Sequence, residues 1–167
     1  MTEPSRSRGH ETDDPGPRTT RVVADADVLA ADLLVGGSAR EALTHVRRHS
    51  WMTLLVSDAL LEDAVAVIAT LADDSLATDW RHRVEREADA VAHPTGDHPG
   101  LATAYRGSAG HLLTFDEELT SARTNLSVQS TTALSVRVPD SFARLFDAAT
   151  LYESIHDEAY PGPDRQV

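Results

Sequence analysis

The stretch VVADADVL, residues 22–29, ends an apolar run in two carboxylates. Val22 and Val23 predict the end of a buried strand, and Asp25 and Asp27 follow it directly. Burying a single carboxylate costs several kcal/mol unless something pairs with it, and two neighbouring carboxylates also repel each other. The stretch therefore predicts a strand end at which two acids share a counter-charge.

Apolar runs of strand length alternate with helical patterns along the rest of the chain. The predicted strands are RVVAD, WMTLLV, HLLTF and LSVRV. Strands separated by helices indicate βαβ units, so we expect a three-layer α/β/α fold with a mostly parallel central sheet. In such sheets, binding sites lie beyond the carboxyl ends of the strands, where Asp25 stands.

Three local signals give the expected limits of the helices. Ser38 and Glu41 have the spacing of a capping box, which predicts a helix through about Arg48. Ser57 or Asp58 is expected to cap the helix that follows the second strand. A further helix is expected from Ser75 to about Ala92, because its apolar residues recur at helical spacing.

Apolar content divides the chain into one domain and two terminal segments. Residues 1–20 are polar and rich in Pro, Ser and Thr, which predicts a disordered arm. Residues 21–156 are expected to form the domain, and residues 157–167 a loose tail. A chain of 167 residues is long enough for one domain with an ordinary core.

The charge of the chain is strongly acidic, with 27 acidic residues against 15 basic ones and a net charge of −12. Every basic residue is Arg and Lys is absent, a composition that resembles haloarchaeal, salt-adapted proteins. In about 1 M salt the Debye length is about 3 Å, so the self-repulsion is screened. The composition contains no obvious basic patch for nucleic acid.

Several classes of protein are excluded by what the sequence lacks. Without Cys there is no disulfide, thiolate zinc site or cysteine nucleophile. No apolar run approaches the roughly 18 residues of a membrane span, and the N-terminus lacks the apolar segment of a signal peptide. We therefore expect a cytoplasmic protein that does not associate with membranes.

Further acids are expected to converge on the edge that carries Asp25 and Asp27. Glu62 and Asp63 lie in the helix after the second strand, Asp97 precedes another helix, and Asp116 follows HLLTF. A cluster of like charges needs cations to be stable, and hard oxygen ligands select Mg²⁺ or Mn²⁺ over zinc. Such ions activate water and neutralise charge on a phosphate.

The ordered set of acids resembles that of the PIN domain, a fold of metal-dependent nucleases, over roughly residues 21–147. The family opens with an apolar strand, an Asp, a spacer and a small polar residue, as in VVAD25-A-D27, although Asp27 replaces the more usual Asn or Ser. It continues with an Asp before a helix and a strand that ends in Thr-x-Asp, as in Asp97 followed by T114-F-D116. The final strand and helix of the family match SVRV and PDSF.

The resemblance implies a Mg²⁺- or Mn²⁺-dependent endoribonuclease that cleaves single-stranded RNA with an activated water. It implies that the catalytic metal ligands are Asp25, Asp63, Asp97 and Asp116, with Asp27 and Thr114 in support. Spacing from Ser57 favours Asp63 as the second acid, whereas the usual residue type favours Glu62. It also leaves open a homodimer, a toxin with a small antitoxin partner, and a processing enzyme.

Two alternatives remain beside the nuclease. A PIN-like domain that has lost cleavage would serve as an interaction module for nucleic acid or protein. A phosphatase of the haloacid-dehalogenase type also begins with a strand and D-x-D, but Leu29 stands where that family needs Thr or Val, and the required Lys is missing. In the nuclease, Arg106 or Arg123 is expected to meet the phosphate.

Overall fold

The computed structural model describes residues 18–92, 98–121 and 134–167. Its strands are β1 (Arg18–Ala24), β2 (Thr53–Val56), β3 (Asp89–Ala90), β4 (Ala109–Leu113) and β5 (Ser135–Arg137). Its helices are α1 (Ala26–Leu34), α2 (Gly37–Arg47), α3 (Asp58–Leu71), α4 (Asp74–Glu87), α5 (Pro99–Arg106), α6 (Glu117–Thr120), α7 (Pro139–Leu145) and α8 (Ala148–His156). The five strands form one sheet, all parallel, in the order β3-β2-β1-β4-β5.

The central strand β1 is buried on both faces of the sheet. Val22 and Val23 point to opposite faces, and both are 0% exposed, so helices cover both sides. Val22 lies between Leu54 of β2 and His111 of β4 in the register. The predicted α/β class with a mostly parallel sheet between helix layers is therefore confirmed.

The short edge strand β3 was not predicted from the sequence. The helix expected to reach Ala92 ends at Glu87, and the chain then pairs with β2 through Leu55 and Asp89. The backbone N–H of Val91 donates to the carbonyl of Val56 at 2.7 Å. Ala88 and Val91 are apolar and stand at helical spacing, so the pattern predicted a helix where the chain forms a two-residue strand.

The start of α2 differs from the capping-box prediction, which is wrong. The N-cap is Gly36, with φ of 84°, and it makes no side-chain cap hydrogen bond. Ser38 therefore lies inside the helix, two positions after the N-cap. By contrast, Ser57 caps α3 as expected, because its hydroxyl accepts a hydrogen bond from the backbone N–H of Leu60.

The two ends of the described chain are more ordered than their compositions indicate. β1 begins at Arg18, which pairs with Ala109, so three residues assigned to the arm belong to the sheet. The remainder of the arm lies outside the described residues. At the other end, the segment expected to be loose contacts the domain: Asp164 accepts hydrogen bonds from the Ser50 backbone, at 2.7 Å, and from its hydroxyl.

Of the aromatic residues on the helices, Trp80 and Phe142 are core residues, 2% and 3% exposed, whereas Tyr105 is 42% exposed. Tyr105 lies on the outer side of α5, whose buried residues include Thr103 and Ala104. Within the described ranges, no helix has the length and apolar character needed to cross a bilayer.

Candidate functional site

The candidate site lies where the direction of the chain through the sheet reverses. From β1 the chain passes to β2 on one side, and it later returns to β4 on the other side. Such a switch point opens a crevice beyond the carboxyl ends of the two central strands. Asp25 ends β1 there, and its backbone N–H donates to the carbonyl of Leu113 in β4 at 2.8 Å.

The Thr114 hydroxyl joins the two strand ends. It donates to Oδ2 of Asp25 at 3.0 Å and accepts a hydrogen bond from the backbone N–H of Asp116, also at 3.0 Å. Thr114 is 1% exposed, so this hydroxyl is enclosed and held in one orientation by its two partners. The Thr-x-Asp pattern therefore places Asp116 on the same edge of the sheet as Asp25.

The first turn of α5 covers one side of Asp25. Gly100 lies so close that a Cβ atom built on it would stand 2.9 Å from Oδ1 of Asp25. His98 caps the helix, because its Nδ1 accepts a hydrogen bond from the backbone N–H of Leu101 at 3.4 Å. The opposite ring nitrogen, Nε2, lies 3.5 Å from Oδ2 of Asp25.

His98 is a site residue that sequence reasoning missed. With Nδ1 accepting from the backbone, a neutral imidazole carries its proton on Nε2, which faces the carboxylate. The signal in the sequence was Pro99: proline at the first helical position places the cap, and hence His98, at the end of the helix nearest the site.

A second buried hydroxyl pair connects α3 with α5. The hydroxyls of Ser57 and Thr103 are 2.7 Å apart, and that of Thr103 also donates to the carbonyl of Pro99 at 2.6 Å. Both residues are buried, so the pair fixes the start of α3 beside α5 at the carboxyl end of β2. The helix that carries Glu62 and Asp63 is therefore anchored at this edge of the sheet.

Most of the predicted acids at this edge are exposed. Asp25 is the exception, with 15% of its side chain accessible. Asp116 is exposed, and its Oδ1 accepts a hydrogen bond from the backbone N–H of Glu118 at 2.9 Å. Asp27 is exposed in the first turn of α1. The fourth predicted acid, Asp97, lies outside the described residues.

The two candidates for the second acid, Glu62 and Asp63, are both exposed on α3. The pKa of Arg81 in α4 is raised, first by its hydrogen bond to Glu85 and to a smaller extent by the charges of Asp58 and Glu62. Asp58 also pairs with Arg81 at 3.1 Å, and Glu62, four residues later, is on the same face of α3, toward α4. Asp63 is displaced from it by about 100° around the helix axis.

The donor set at the edge comprises the carboxylates of Asp25 and Asp116 and the hydroxyl of Thr114. Carboxylate oxygens suit a hard divalent cation, and 15% of the Asp25 side chain is exposed. Within residues 18–92, 98–121 and 134–167, no three His, Asp or Glu side chains are grouped closely enough to hold a metal ion. The described residues therefore do not form a metal site by themselves.

Fold and site together define an α/β protein with a parallel sheet and a polar site at its switch point. The chain belongs to a family of unknown function (DUF7384), whose model matches residues 16–167. The matched region includes all of β1 and the C-terminal segment that contacts the domain. No curated protein matches the sequence.

Proposed function

We propose that this protein is a Mg²⁺- or Mn²⁺-dependent nuclease that cleaves single-stranded RNA at the carboxyl edge of its sheet. The observation that supports this most directly is the Thr114 hydroxyl, which bonds Asp25 and the Asp116 backbone at once. A buried threonine that orients one carboxylate and positions the residue bearing the next is suited to a ligand site. The PIN resemblance supports the same assignment from the order of motifs.

In this proposal Asp25 and Asp116 are metal ligands, and Thr114 and Asp27 support them. A bound divalent cation would polarise a water and neutralise charge that develops on the phosphate. His98 restricts the orientation of Asp25 through Oδ2 and adds a donor beside it. Gly100 lets the backbone of α5 approach the carboxylate, since a side chain there would meet Oδ1.

Asp63 is the better candidate for the remaining ligand on α3. Glu62 is on the side of the helix near Arg81 and α4, whereas Asp63 lies at the opposite edge of the buried stripe. Asp97 completes the proposed set by its place in the sequence, directly before His98, which contacts Asp25. We propose that the enzyme acts in the cytoplasm, either as a toxin with a small antitoxin partner or as an RNA-processing enzyme.

A second function is supported by the partners that Asp25 already has. Its Oδ1 accepts from the backbone N–H of Ala26 at 3.0 Å, and its Oδ2 contacts Thr114 and His98. These are the contacts of an N-cap that needs no metal. If they are the whole role of Asp25, the domain is a non-cleaving interaction module for nucleic acid or protein.

Cleavage of a single-stranded RNA with EDTA, Mg²⁺ or Mn²⁺ separates the two functions. The nuclease requires cleavage with metal, its absence in EDTA, and its loss in Asp25→Asn. Asp79→Asn is a matched control, because Asp79 is an exposed acid on α4 and its substitution changes the charge equally. Pure wild-type protein that leaves RNA intact with both metals would favour the interaction module.

A further inference from the structure

Five of the 15 arginines line two adjoining cavities, which we call the arginine groove. The cavities have volumes of about 310 and 560 Å³ and share Arg47 as a wall. Arg40 and Arg83 line the first cavity, and Arg86 and Arg165 line the second. These residues come from α2, α4 and the C-terminal segment, so the groove exists only in the folded protein.

The groove carries a local excess of positive charge on a chain whose net charge is −12. Its acidic lining residues are Asp32 and Glu87. Asp32 is 4% exposed and is held by Arg47 through bonds of 2.6 and 3.1 Å. Arg40 contributes a longer contact to the same carboxylate, at 3.8 Å.

Three guanidinium groups of the groove are free to bind an anion. Arg83, Arg86 and Arg165 are exposed and form no ion pair within the described part of the chain. Arg83 and Arg86 stand at i and i+3 on α4, so their side chains emerge from one face. Two neighbouring cations of this kind can each contact a different phosphate of a polymer.

The groove lies at the opposite end of β2 from the candidate site. Met52 and Leu54 form its floor at the amino end of the strand, whereas Ser57 follows the carboxyl end. Helix α1 connects the two regions, since Asp25 caps its start and Asp32 lies seven residues later at the groove. At 1.5 Å per residue the two positions are about 10 Å apart along the helix.

We propose that the arginine groove binds the sugar–phosphate backbone of single-stranded RNA. Guanidinium groups match phosphate oxygens in a planar, bidentate manner, and arginines spaced along the groove can contact successive phosphates of one strand. None of the described residues that line the groove is aromatic and could stack on a base, so binding is to the backbone and independent of base sequence. The Debye length is about 3 Å in 1 M salt and about 8 Å at 0.15 M, so in either medium the charge within the groove outweighs the acidity of distant surfaces.

This inference rests on the proposed function only in taking RNA as the polymer. Because the groove is separate from Asp25, its binding should persist when metal is removed. The groove would hold a flanking part of the strand while the carboxyl edge acts on the scissile phosphate.

The test is fluorescence anisotropy of a labelled oligouridylate in EDTA, measured across a salt series. The double variant Arg83→Ser/Arg86→Ser is compared with Arg18→Ser/Arg144→Ser, which removes the same charge from exposed residues outside the groove. Each lost phosphate contact should lower the slope of log affinity against log salt by about 0.7, hence by about 1.4 for the groove pair. We expect about a tenfold loss of affinity near 0.1 M salt, with the control pair within twofold of wild type.

Equal affinity of the groove variant and wild type, or no binding of RNA by wild type, would overturn the proposal. Variant-sensitive binding of polyglutamate without binding of RNA would overturn it in favour of an acidic protein partner. Variant-sensitive RNA binding in EDTA, combined with no cleavage in Mn²⁺, would support the groove and refute the nuclease. The substituted arginines are exposed, and urea melts of each variant verify that the domain remains folded.

Discussion

The carboxyl edge of the sheet and the arginine groove hold their charges in opposite ways. At the edge, Asp25 is only 15% exposed and accepts a hydrogen bond from the Thr114 hydroxyl. The same hydroxyl accepts a hydrogen bond from the backbone N–H of Asp116. In the groove, Arg83 and Arg86 are exposed and have no ionic partner among the described residues. The difference indicates that the edge is built for fixed geometry, whereas the groove supplies charge without a rigid arrangement.

The largest expected effect is loss of cleavage when the edge loses one charge. Asn is almost isosteric with Asp and can still cap α1, but it is a much poorer ligand for a hard cation. Asp25→Asn should therefore reduce metal-dependent cleavage by at least about a hundredfold, as expected for a lost catalytic ligand. Single-turnover cleavage with Mn²⁺ measures this loss.

RNA binding in EDTA is the companion measurement for Asp25→Asn, because it reports on the groove alone. Binding should stay within twofold of wild type. If cleavage by Asp25→Asn equals that of wild type, the edge is not the catalytic site. If RNA binding falls together with cleavage, the two regions are not independent.

A pH titration distinguishes acid unfolding from effects on the site, because β4 carries a partly buried histidine, His111, away from its carboxyl end. Burial, and then the charge of Arg137, lower the pKa of His111 from 6.5 to about 4. The unfolded chain takes up this proton at higher pH than the folded chain. Stability should thus be constant above about pH 6.5 and fall toward pH 4, by up to about 3 kcal/mol from this group.

His111→Leu provides the reference for that titration. The variant lacks the titrating group, so its free energy of unfolding, measured with urea, should fall less between pH 6.5 and 4 than that of wild type. Parallel curves for the two proteins would show that His111 is not the cause. Any loss of cleavage above pH 6.5 would then be caused by groups at the site and not by acid unfolding.

The bond between the two strand ends is tested by Thr114→Val, which keeps the shape of the side chain and removes its hydroxyl. Oδ2 of Asp25 and the backbone N–H of Asp116 each lose a partner, which should cost about 1–3 kcal/mol of stability. Cleavage should fall about tenfold as Asp25 loses its orientation. Thr114→Ser should recover much of both losses, and Thr114→Val with wild-type stability and cleavage would remove the basis of the assignment.

The smallest expected effect concerns the groove and the C-terminal segment that borders it. Deleting residues 158–167 removes Arg165 from the groove, the Asp164 contacts to Ser50, and the Tyr160 hydroxyl at 2.5 Å from Nε2 of His49. Stability should fall by about 1–2 kcal/mol, and RNA affinity by a few fold. Cleavage at saturating RNA should stay unchanged, and a large loss there would show that the segment acts on the edge.

Sequence patterns predicted the edge better than the groove for a physical reason. Parallel strands bring their carboxyl ends to one edge whatever the helices do, so Asp25 and T114-F-D116 could be placed from local patterns. The groove depends on how α2, α4 and the C-terminal segment pack together, which no short stretch encodes. Its arginines are spread along the sequence from Arg40 to Arg165.

The remaining differences between the sequence predictions and the structure have local causes. Ser38 and Glu41 have the spacing of a capping box, but Gly36 adopts a positive φ and starts α2 two residues earlier. His98 had no partner at metal-ligand spacing, and its contact with Asp25 arises because α5 begins beside the central strand. The second acid depends on the rotation of α3, which the sequence leaves open between Glu62 and Asp63.

The central claim is that the carboxyl edge binds a divalent metal ion. Its most direct test is to measure Mn²⁺ binding to wild type and Asp25→Asn through the electron paramagnetic resonance signal of the free ion. High monovalent salt should suppress diffuse binding by the acidic surface. We predict saturable Mn²⁺ binding by wild type that Mg²⁺ displaces, its retention in Asp79→Asn, and its loss in Asp25→Asn. Equal binding by Asp25→Asn and wild type, or no saturable binding by wild type in high salt, would contradict the metal site at the carboxyl edge.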